Sequence, residues 1–391
     1  METQQSDKPK PMKCIVVGCG TVGGKLIQIL KEKGHQVLAT ASRKEVRWSE
    51  DEAGATSLVG YSSDYLKRAL ERFCSDADVA FIAIPTKDKG ETARDYINFF
   101  VSRGVAVVTA EKGALAYHYA ELSSKLKHIG CSATFGGGTD MLECLSRRHL
   151  RDHDGVSIRM VVNGTMNYIL SGIGEGHSFE DVLAEAIRRG YAEPGDGDQV
   201  DKINGELSDV CLKASVFYNV VLAERGEYLT PQSIRVTPLT GPDLYKIVES
   251  ENRFRYVLSA SSLPVSDSDN GADLPGSIVA RIGKWAIRGG FYDVGNDNGI
   301  DRWLQIVRGV DNGFYIYSAD GEDTGYSHAG PGAGPMPTAM AMYRDAIRLT
   351  ESRDGRISSL WASRFETAHM DDACIAGATS PDGASQLDMI R

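Results

Sequence analysis

The stretch Lys13-Cys14-Ile15-Val16-Val17-Gly18-Cys19-Gly20-Thr21-Val22-Gly23-Gly24-Lys25-Leu26 decides the fold. Cys14 to Val17 is a short continuous apolar run that stops at glycine, the pattern of a buried strand. From Thr21 the apolar residues Val22, Leu26, Ile29 and Leu30 recur at helical spacing, one stripe of an amphipathic helix. Between strand and helix lies Gly-x-Gly-x-x-Gly, a weak signal alone and a strong one in that context. Gly18 permits the tight turn, Gly20 lets the backbone approach a pyrophosphate, and Gly23 lets the helix pack on the strand. Thr21 and Val22 open the helix, whose free N–H groups and positive dipole end face the phosphates.

Strands and helices alternate on either side of this unit. Strands are expected at Gln36–Ala41, Val79–Ile84, Val105–Thr109 and Ser132–Phe135, and helices at Tyr65–Phe73, Thr92–Ser102 and Tyr119–His128. Continuously apolar strands joined by helices imply a buried parallel sheet, so residues 1–150 read as a doubly wound α/β dinucleotide-binding (Rossmann) domain. Met141–Leu150 reads as a connecting helix. Strands are then expected at Ser157–Val162, Arg253–Ala260, Ser277–Ile282, Leu304–Val310 and Gly313–Ser318, with helices at Phe179–Arg189 and Leu207–Ala223. That order implies an α+β second domain over 151–327. Pro337–Thr350 is a final helix, and 353–391 is a polar C-terminal tail.

Of 391 residues 42 are glycine, roughly one in nine against ~7% on average. There is no Gly-X-Y period and only 13 prolines, which excludes collagen and a chain that is all linker. The net charge of −10 argues against sequence-independent binding to nucleic acid. No apolar run reaches the ~18–20 residues of a membrane helix, and the run after the polar N-terminus is too short for a signal peptide. Seven scattered cysteines without a Cys-x-x-Cys pair fit a reducing, cytoplasmic compartment. His149-x-x-x-His153 has zinc-like spacing, but its central residue is Arg151, and a surface helix is the simpler reading; no metal is expected.

The end of the second strand bears on the cofactor. NAD enzymes usually place an acid there, on the ribose 2′-hydroxyl. Here Ala39-Thr40-Ala41-Ser42-Arg43-Lys44 puts two cations before the first acid, Glu45. Arg43 and Lys44 suit a 2′-phosphate, so NADP(H) is favoured over NAD(H).

Val162-Asn163-Gly164-Thr165-Met166-Asn167-Tyr168-Ile169-Leu170 is the most specific string in the chain. A strand ends and an Asn-Gly-Thr turn opens a helix, offering N–H groups and a hydroxyl to a polar substrate. Here the chain resembles the homoserine dehydrogenase family, which carries a similar segment after its nucleotide domain. Other strings agree in order: Pro85-Thr86 and Gly90-Glu91-Thr92-Ala93, Thr109-Ala110-Glu111-Lys112, Gly136-Gly137-Gly138, Gly190-Tyr191-Ala192-Glu193-Pro194, Asp209-x-x-x-Lys213, and Gly330-Pro331-Gly332-Ala333-Gly334 before Pro337-Thr338-Ala339. The resemblance covers roughly residues 12–350. It implies that about 328–352 return to complete the first domain and that 151–327 also serve dimerisation.

The reaction implied is reversible hydride transfer between a nicotinamide and L-aspartate 4-semialdehyde, giving L-homoserine for threonine, methionine and isoleucine biosynthesis. Lys213, Lys112 and Asp209 are then the catalytic candidates: the lysines meet the developing alkoxide, and Asp209, four residues before Lys213 on one helix face, orients it. Glu193 is the candidate partner of the substrate ammonium, with Gly164 and Thr165 beside it. Gly18, Gly20, Thr21, Val22, Gly23, Arg43, Lys44, Pro85, Thr86, Lys112 and Gly334 would hold the dinucleotide. The implied partner is a small amino-acid substrate, with no nucleic acid or membrane, and the implied assembly a homodimer.

The chain departs from the family pattern at four places. Residues 195–208 carry extra acids and about five additional residues. Asp140 stands where a proline is usual after the glycine run. Ser132 replaces a glutamate that binds a monovalent cation in some members. Glu111 precedes Lys112 where the family has asparagine. Two further readings therefore stand beside the first: a relative acting on another amino-acid-like carbonyl or alcohol, and a non-catalytic NADP-sensing relative.

Overall fold

The computed structural model describes residues 11–51, 54–59, 63–192, 197–249, 253–262, 274–294, 299–318 and 325–353. The expected tail beyond Arg353 lies outside them. Strand β1 (Lys13–Val17), helix α1 (Thr21–Glu32) and strand β2 (Gln36–Ala41) follow the opening motif closely. A hairpin comes next, β3 (Glu45–Asp51) and β4 (Gly54–Val59), then α2 (Ser63–Glu71), β5 (Val79–Ile82), α3 (Glu91–Val101) and β6 (Ala106–Thr109). Two short helices, α4 (Gly113–Tyr117) and α5 (Tyr119–Leu122), lead to β7 (Ile129–Gly130) and α6 (Met141–Ser146).

These strands form one sheet in the order β4-β3-β2-β1-β5-β6-β7. β2, β1, β5, β6 and β7 are parallel, and the β3–β4 hairpin extends one edge antiparallel. The chain leaves β1 toward β2 on one side and returns to β5 on the other, so a crevice opens beyond their carboxyl ends. The sheet is buried on both faces, which is why its strands are continuously apolar. Cys14, Val16, Phe81 and Val108 pack against Leu26, Ile29 and Leu30 of α1 and against Ala339, Met342 and Ala346 of the last helix. Ile15, Val17, Ile82 and Val107 turn to the other face, with Leu66 and Leu70 of α2 and Ile97 and Phe100 of α3. Leu26 is fully buried, so truncation to alanine would cost about 2–5 kcal/mol.

The second layer contains β8 (Val156–Val161), α7 (Gly164–Gly174), α8 (Phe179–Arg188), α9 (Gln199–Phe217), β9 (Arg235–Thr237) and α10 (Gly241–Val248). It continues through β10 (Phe254–Ser261), β11 (Ser277–Ile282), β12 (Trp285–Asp293), α11 (Gly299–Ile306), β13 (Asp311–Ser318) and β14 (Tyr326–Pro331). Its sheet has the order β14-β13-β8-β10-β12-β11-β9, and its neighbours run antiparallel. Ile158, Met160, Leu258 and Ile287 share a core with Ile169 of α7 and Leu207 and Val210 of α9. The long helix α12 (Pro335–Arg353) then returns to the first sheet and lies beside α1.

Four expectations are corrected. Leu304–Val310 is not a strand: α11 occupies 299–306, because Ile300, Trp303, Leu304 and Val307 repeat at helical spacing, and the last three bury with Val161 and Val257. Ser132–Phe135 is not a strand either. Residues 132–134 form a 3-10 turn, in which the Ser132 N–H and hydroxyl donate to Asp345 of α12 at 2.8 and 2.7 Å instead of to a strand. Tyr119–His128 breaks into α5 and a 3-10 turn. His149 has φ +49 before a single 3-10 turn, so it starts no regular helix, and the described residues hold no group of three metal-ligating side chains. Among the described residues no helix is long and apolar enough to cross a membrane.

Candidate active site

Three backbone devices converge on the crevice. At the first, the chain turns out of β1 at Gly18 with φ +97, and a Cβ there would stand 2.2 Å from the Ala83 carbonyl oxygen. Gly23 is tighter still, since its Cβ would fall 1.7 Å from the Gly18 carbonyl oxygen. Gly20 is the opposite case: nothing stands within 4 Å of where its Cβ would be. No side chain caps α1, and its first turn holds no acid. The loop thus presents uncapped N–H groups and the positive end of a 12-residue helix to open space, which fits a dinucleotide pyrophosphate. Thr21 and Val22 begin that helix. Pro85 and Thr86 follow β5 at the same sheet edge, and Arg43 and Lys44 stand exposed in the turn between β2 and β3. The nearest acid, Glu45, is paired with Arg47 at 2.6 Å.

The second device is the start of α7. Asn163 caps it, its Oδ1 accepting from the Met166 N–H at 2.7 Å. The Thr165 hydroxyl donates to the Tyr191 carbonyl at 2.6 Å, tying the helix start to the segment after α8. Gly164 lies close to Val310 and Ala333, where a Cβ would meet the Val310 carbonyl oxygen at 3.0 Å.

The third is the return segment before α12. A Cβ on Gly332 would lie 2.2 Å from Cγ of buried Asn312, and one on Gly137 would lie 2.4 Å from the Gly332 carbonyl oxygen. Gly334, with φ +114, completes the turn into α12.

These segments and one face of α9 form a pocket of about 340 Å³, lined by Lys112, Asn163, Gly164, Thr165, Tyr191, Gly205, Glu206, Asp209, Lys213, Gly332 and Ala333. Asp209 is its electrostatic centre. Lys213 Nζ stands 2.8 Å from Asp209 Oδ2, and Lys112 Nζ, arriving from the end of β6, stands 3.1 Å from Oδ1. Lys213 also donates to the Val162 carbonyl at 2.6 Å. Burial works against a charged Asp209, but the two ammonium groups outweigh it and hold its carboxyl well below the usual carboxylate range. The same carboxylate raises the pKa of Lys112. Asp209 and Lys112 are therefore both charged near neutrality.

Of the expected residues, Lys112, Asp209, Lys213, Gly164 and Thr165 meet in this pocket, whereas Glu193 lies outside the described residues. Beside Asp209 the pocket also holds two polar side chains outside the expected set, Asn163 and Glu206. Asn163 Nδ2 donates to Glu206 Oε2 at 2.6 Å and to Asp209 Oδ2 at 3.0 Å. Glu206 has its carboxyl pKa raised, first by burial and then by Asp209. The signal was present in Glu206-x-x-Asp209-x-x-x-Lys213, whose spacing puts all three on one helix face.

Among the described residues, part of the 195–208 departure, Asp140 and Glu111 have a structural account. Residues 198–208 are absorbed into α9, which starts at Gln199 behind a reciprocal cap between Asp198 and Asp201. Asp140 lines no part of the pocket: it has φ +55 and pairs with Arg344 of α12 at 2.8 Å. Glu111 turns away from the pocket and caps α4, accepting from the N–H groups of Gly113 and Ala114 at 2.6 and 2.8 Å.

The homoserine dehydrogenase family model matches residues 141–347. The chain is 27% identical over 354 residues to the homoserine dehydrogenase of Lactococcus lactis, covering 88% of this chain and 75% of that one. It is 24% identical over 299 residues to the NAD(+)-dependent homoserine dehydrogenase of Pseudomonas canavaninivorans, covering 75% and 77%. Its fold is similar to a hyperthermophilic archaeal homoserine dehydrogenase in complex with NADPH, at TM-score 0.59 and 20% identity, covering 88% and 98%. With more than half of its length inside the family model, the chain belongs to the homoserine dehydrogenase family of oxidoreductases.

Proposed function

We propose that the Asp209 pocket is where L-aspartate 4-semialdehyde is reduced reversibly to L-homoserine, with NADP(H) preferred over NAD(H). The observation that carries this is the Lys112–Asp209–Lys213 cluster at the carboxyl end of β6, walled by the start of α7 and the return segment. A bound nicotinamide supplies the hydride for reduction and takes it in oxidation. An ammonium has three donors, and Lys213 spends two on Asp209 and the Val162 carbonyl, leaving one for the reacting oxygen. As the aldehyde carbon gains hydride, its oxygen becomes an alkoxide, and Lys213 gives it a proton. Lys112, held cationic by Asp209, stabilises the charge that develops there. In oxidation Lys213, then neutral, takes the hydroxyl proton. Asp209 fixes both lysines and touches no reacting atom in this scheme.

Two cations, Arg43 and Lys44, and a neutralised Glu45 beside the phosphate loop support NADP(H). The first domain is proposed to comprise residues 1–150 completed by about 328–352, and the second 151–327. A homodimer and a cytoplasmic role in threonine and methionine biosynthesis complete the reading, and sedimentation tests the dimer.

Turnover of homoserine with NADP⁺, and of the semialdehyde with NADPH, tests the site. Lys213→Ala and Asp209→Ala are expected to lower kcat by about 10²–10⁴-fold while NADPH binding persists. Full activity in Lys213→Ala would refute the assignment.

A further inference from the structure

Glu206 is an ionisable group in the pocket that the proton chemistry does not use. It is half-buried on α9, one turn before Asp209. Asn163 fixes Oε2 at 2.6 Å, and the described residues offer no hydrogen-bond partner to Oε1. Both pocket lysines bond to Asp209, and among the described residues Glu206 has no cation within ion-pair distance. A carboxylate partly withdrawn from water, beside a second carboxylate and without a cation of its own, carries a desolvation cost that a bound cation offsets. The pocket is therefore bipolar: ammonium donors bonded to Asp209 sit on one side, and one helical turn away stands a carboxylate with no ion-pair partner among the described residues. That arrangement complements a small molecule with a reacting oxygen at one end and an ammonium at the other.

We propose that Glu206, alongside the Glu193 to which the family resemblance points, determines specificity by accepting the α-ammonium group of the amino-acid substrate at the oxygen that Asn163 leaves free. The proposal rests on the reading of this pocket as the hydride-transfer site. Asn163 serves it as a positioning residue, since one amide holds Glu206 and Asp209 at a fixed separation while its oxygen caps α7.

The test uses L-homoserine against its des-amino analogue 4-hydroxybutyrate, the latter as a competitive inhibitor. Glu206→Gln keeps an acceptor for Asn163 and removes the charge. It is expected to raise the KM for homoserine about tenfold or more, to change kcat much less, and to leave the inhibition constant of 4-hydroxybutyrate within about twofold. A purely structural Glu206 would shift both ligands together, and that result overturns the proposal. An unchanged homoserine KM overturns it too. Thermal melts and NADPH affinity check folding. Should Glu206→Gln not fold, Glu206→Asp, which withdraws the charge by one methylene, carries the same comparison and the same refuting outcomes. Lys213→Ala separates the two levels. If it stays active, the pocket reading fails. If it is inactive while Glu206→Gln leaves the homoserine KM unchanged, only the ammonium assignment fails.

Discussion

Asp345 offers a quantitative test of how α12 is held. It is 3% exposed and accepts two hydrogen bonds from Ser132. Arg348 stands 3.5 Å from its Oδ1. An aspartate carboxyl ordinarily titrates near 3.8, and burial pushes that of Asp345 up to about 7 despite those bonds. The folded state therefore binds this proton more tightly than the unfolded chain does. The stabilisation, about 4 kcal/mol at 1.36 kcal/mol per tenfold change in proton affinity, is complete below pH ~4. It declines as the pH rises and is lost above ~7. Between pH 5 and pH 8 the loss is about 2–3 kcal/mol. Asp345→Asn has nearly the same shape, can still accept from the Ser132 N–H, and cannot ionise. Equilibrium urea unfolding of both proteins at pH 5 and pH 8 reads the difference. Asp345→Asn should gain about 2–3 kcal/mol on the parent between the two values. A difference that stays constant with pH would mean that Asp345 is already ionised in the fold at pH 5, with the arginines beside it outweighing burial, and would refute the reasoning.

Two further predictions concern the cofactor. Arg43→Ala should raise the KM for NADPH by about tenfold and move that for NADH by less than about twofold, as expected for loss of one charge-assisted bond to a 2′-phosphate. Steady-state kinetics with both cofactors checks this, and equal weakening would sink the NADP(H) preference. Gly23→Ala should abolish NADPH binding measured by calorimetry, because its Cβ would collide with the Gly18 carbonyl oxygen at 1.7 Å and push the loop out of shape. Retained affinity would show that the loop is not the phosphate cradle.

Much of the fold was legible because burial writes itself into the sequence. β1, β5 and β6 are inside on both faces, so they are continuously apolar, and α1 shows its stripe. Legibility failed where short elements depend on distant partners. Ile129–Gly130 is a two-residue strand, and the glycine is required because α12 packs so closely that a Cβ would stand 2.6 Å from Cβ of Asp345, 215 residues away. Ser132–Phe135 alternates as a strand does, but the Ser132 N–H and hydroxyl are spent on that same aspartate and the Thr134 hydroxyl on the Cys131 carbonyl. The α11 segment failed for another reason: Leu304 to Val310 is apolar enough for either element, and only the residues before it reveal the helical period.

The site divides along the same line. Lys112, Asp209 and Lys213 could be picked from the sequence, but that Lys112 and Asp209 share an ion pair could not, since it joins the start of α4 to α9 across a long stretch of chain. Glu206 was hidden for a different reason. It falls in the stretch where the chain departs from its family, and a departure reads as uncertainty when only spacing is available. In three dimensions the stretch from Gln199 is regular helix. Residues 206, 209 and 213 lie within two turns of one face, so placing Asp209 and Lys213 correctly also turns Glu206 toward the pocket. Asn163, whose amide reaches both carboxylates from the cap of α7, locks their spacing. The departure therefore adds a negative group to a pocket whose two cations are already committed to Asp209. A substrate bearing its own cation gains most from that change.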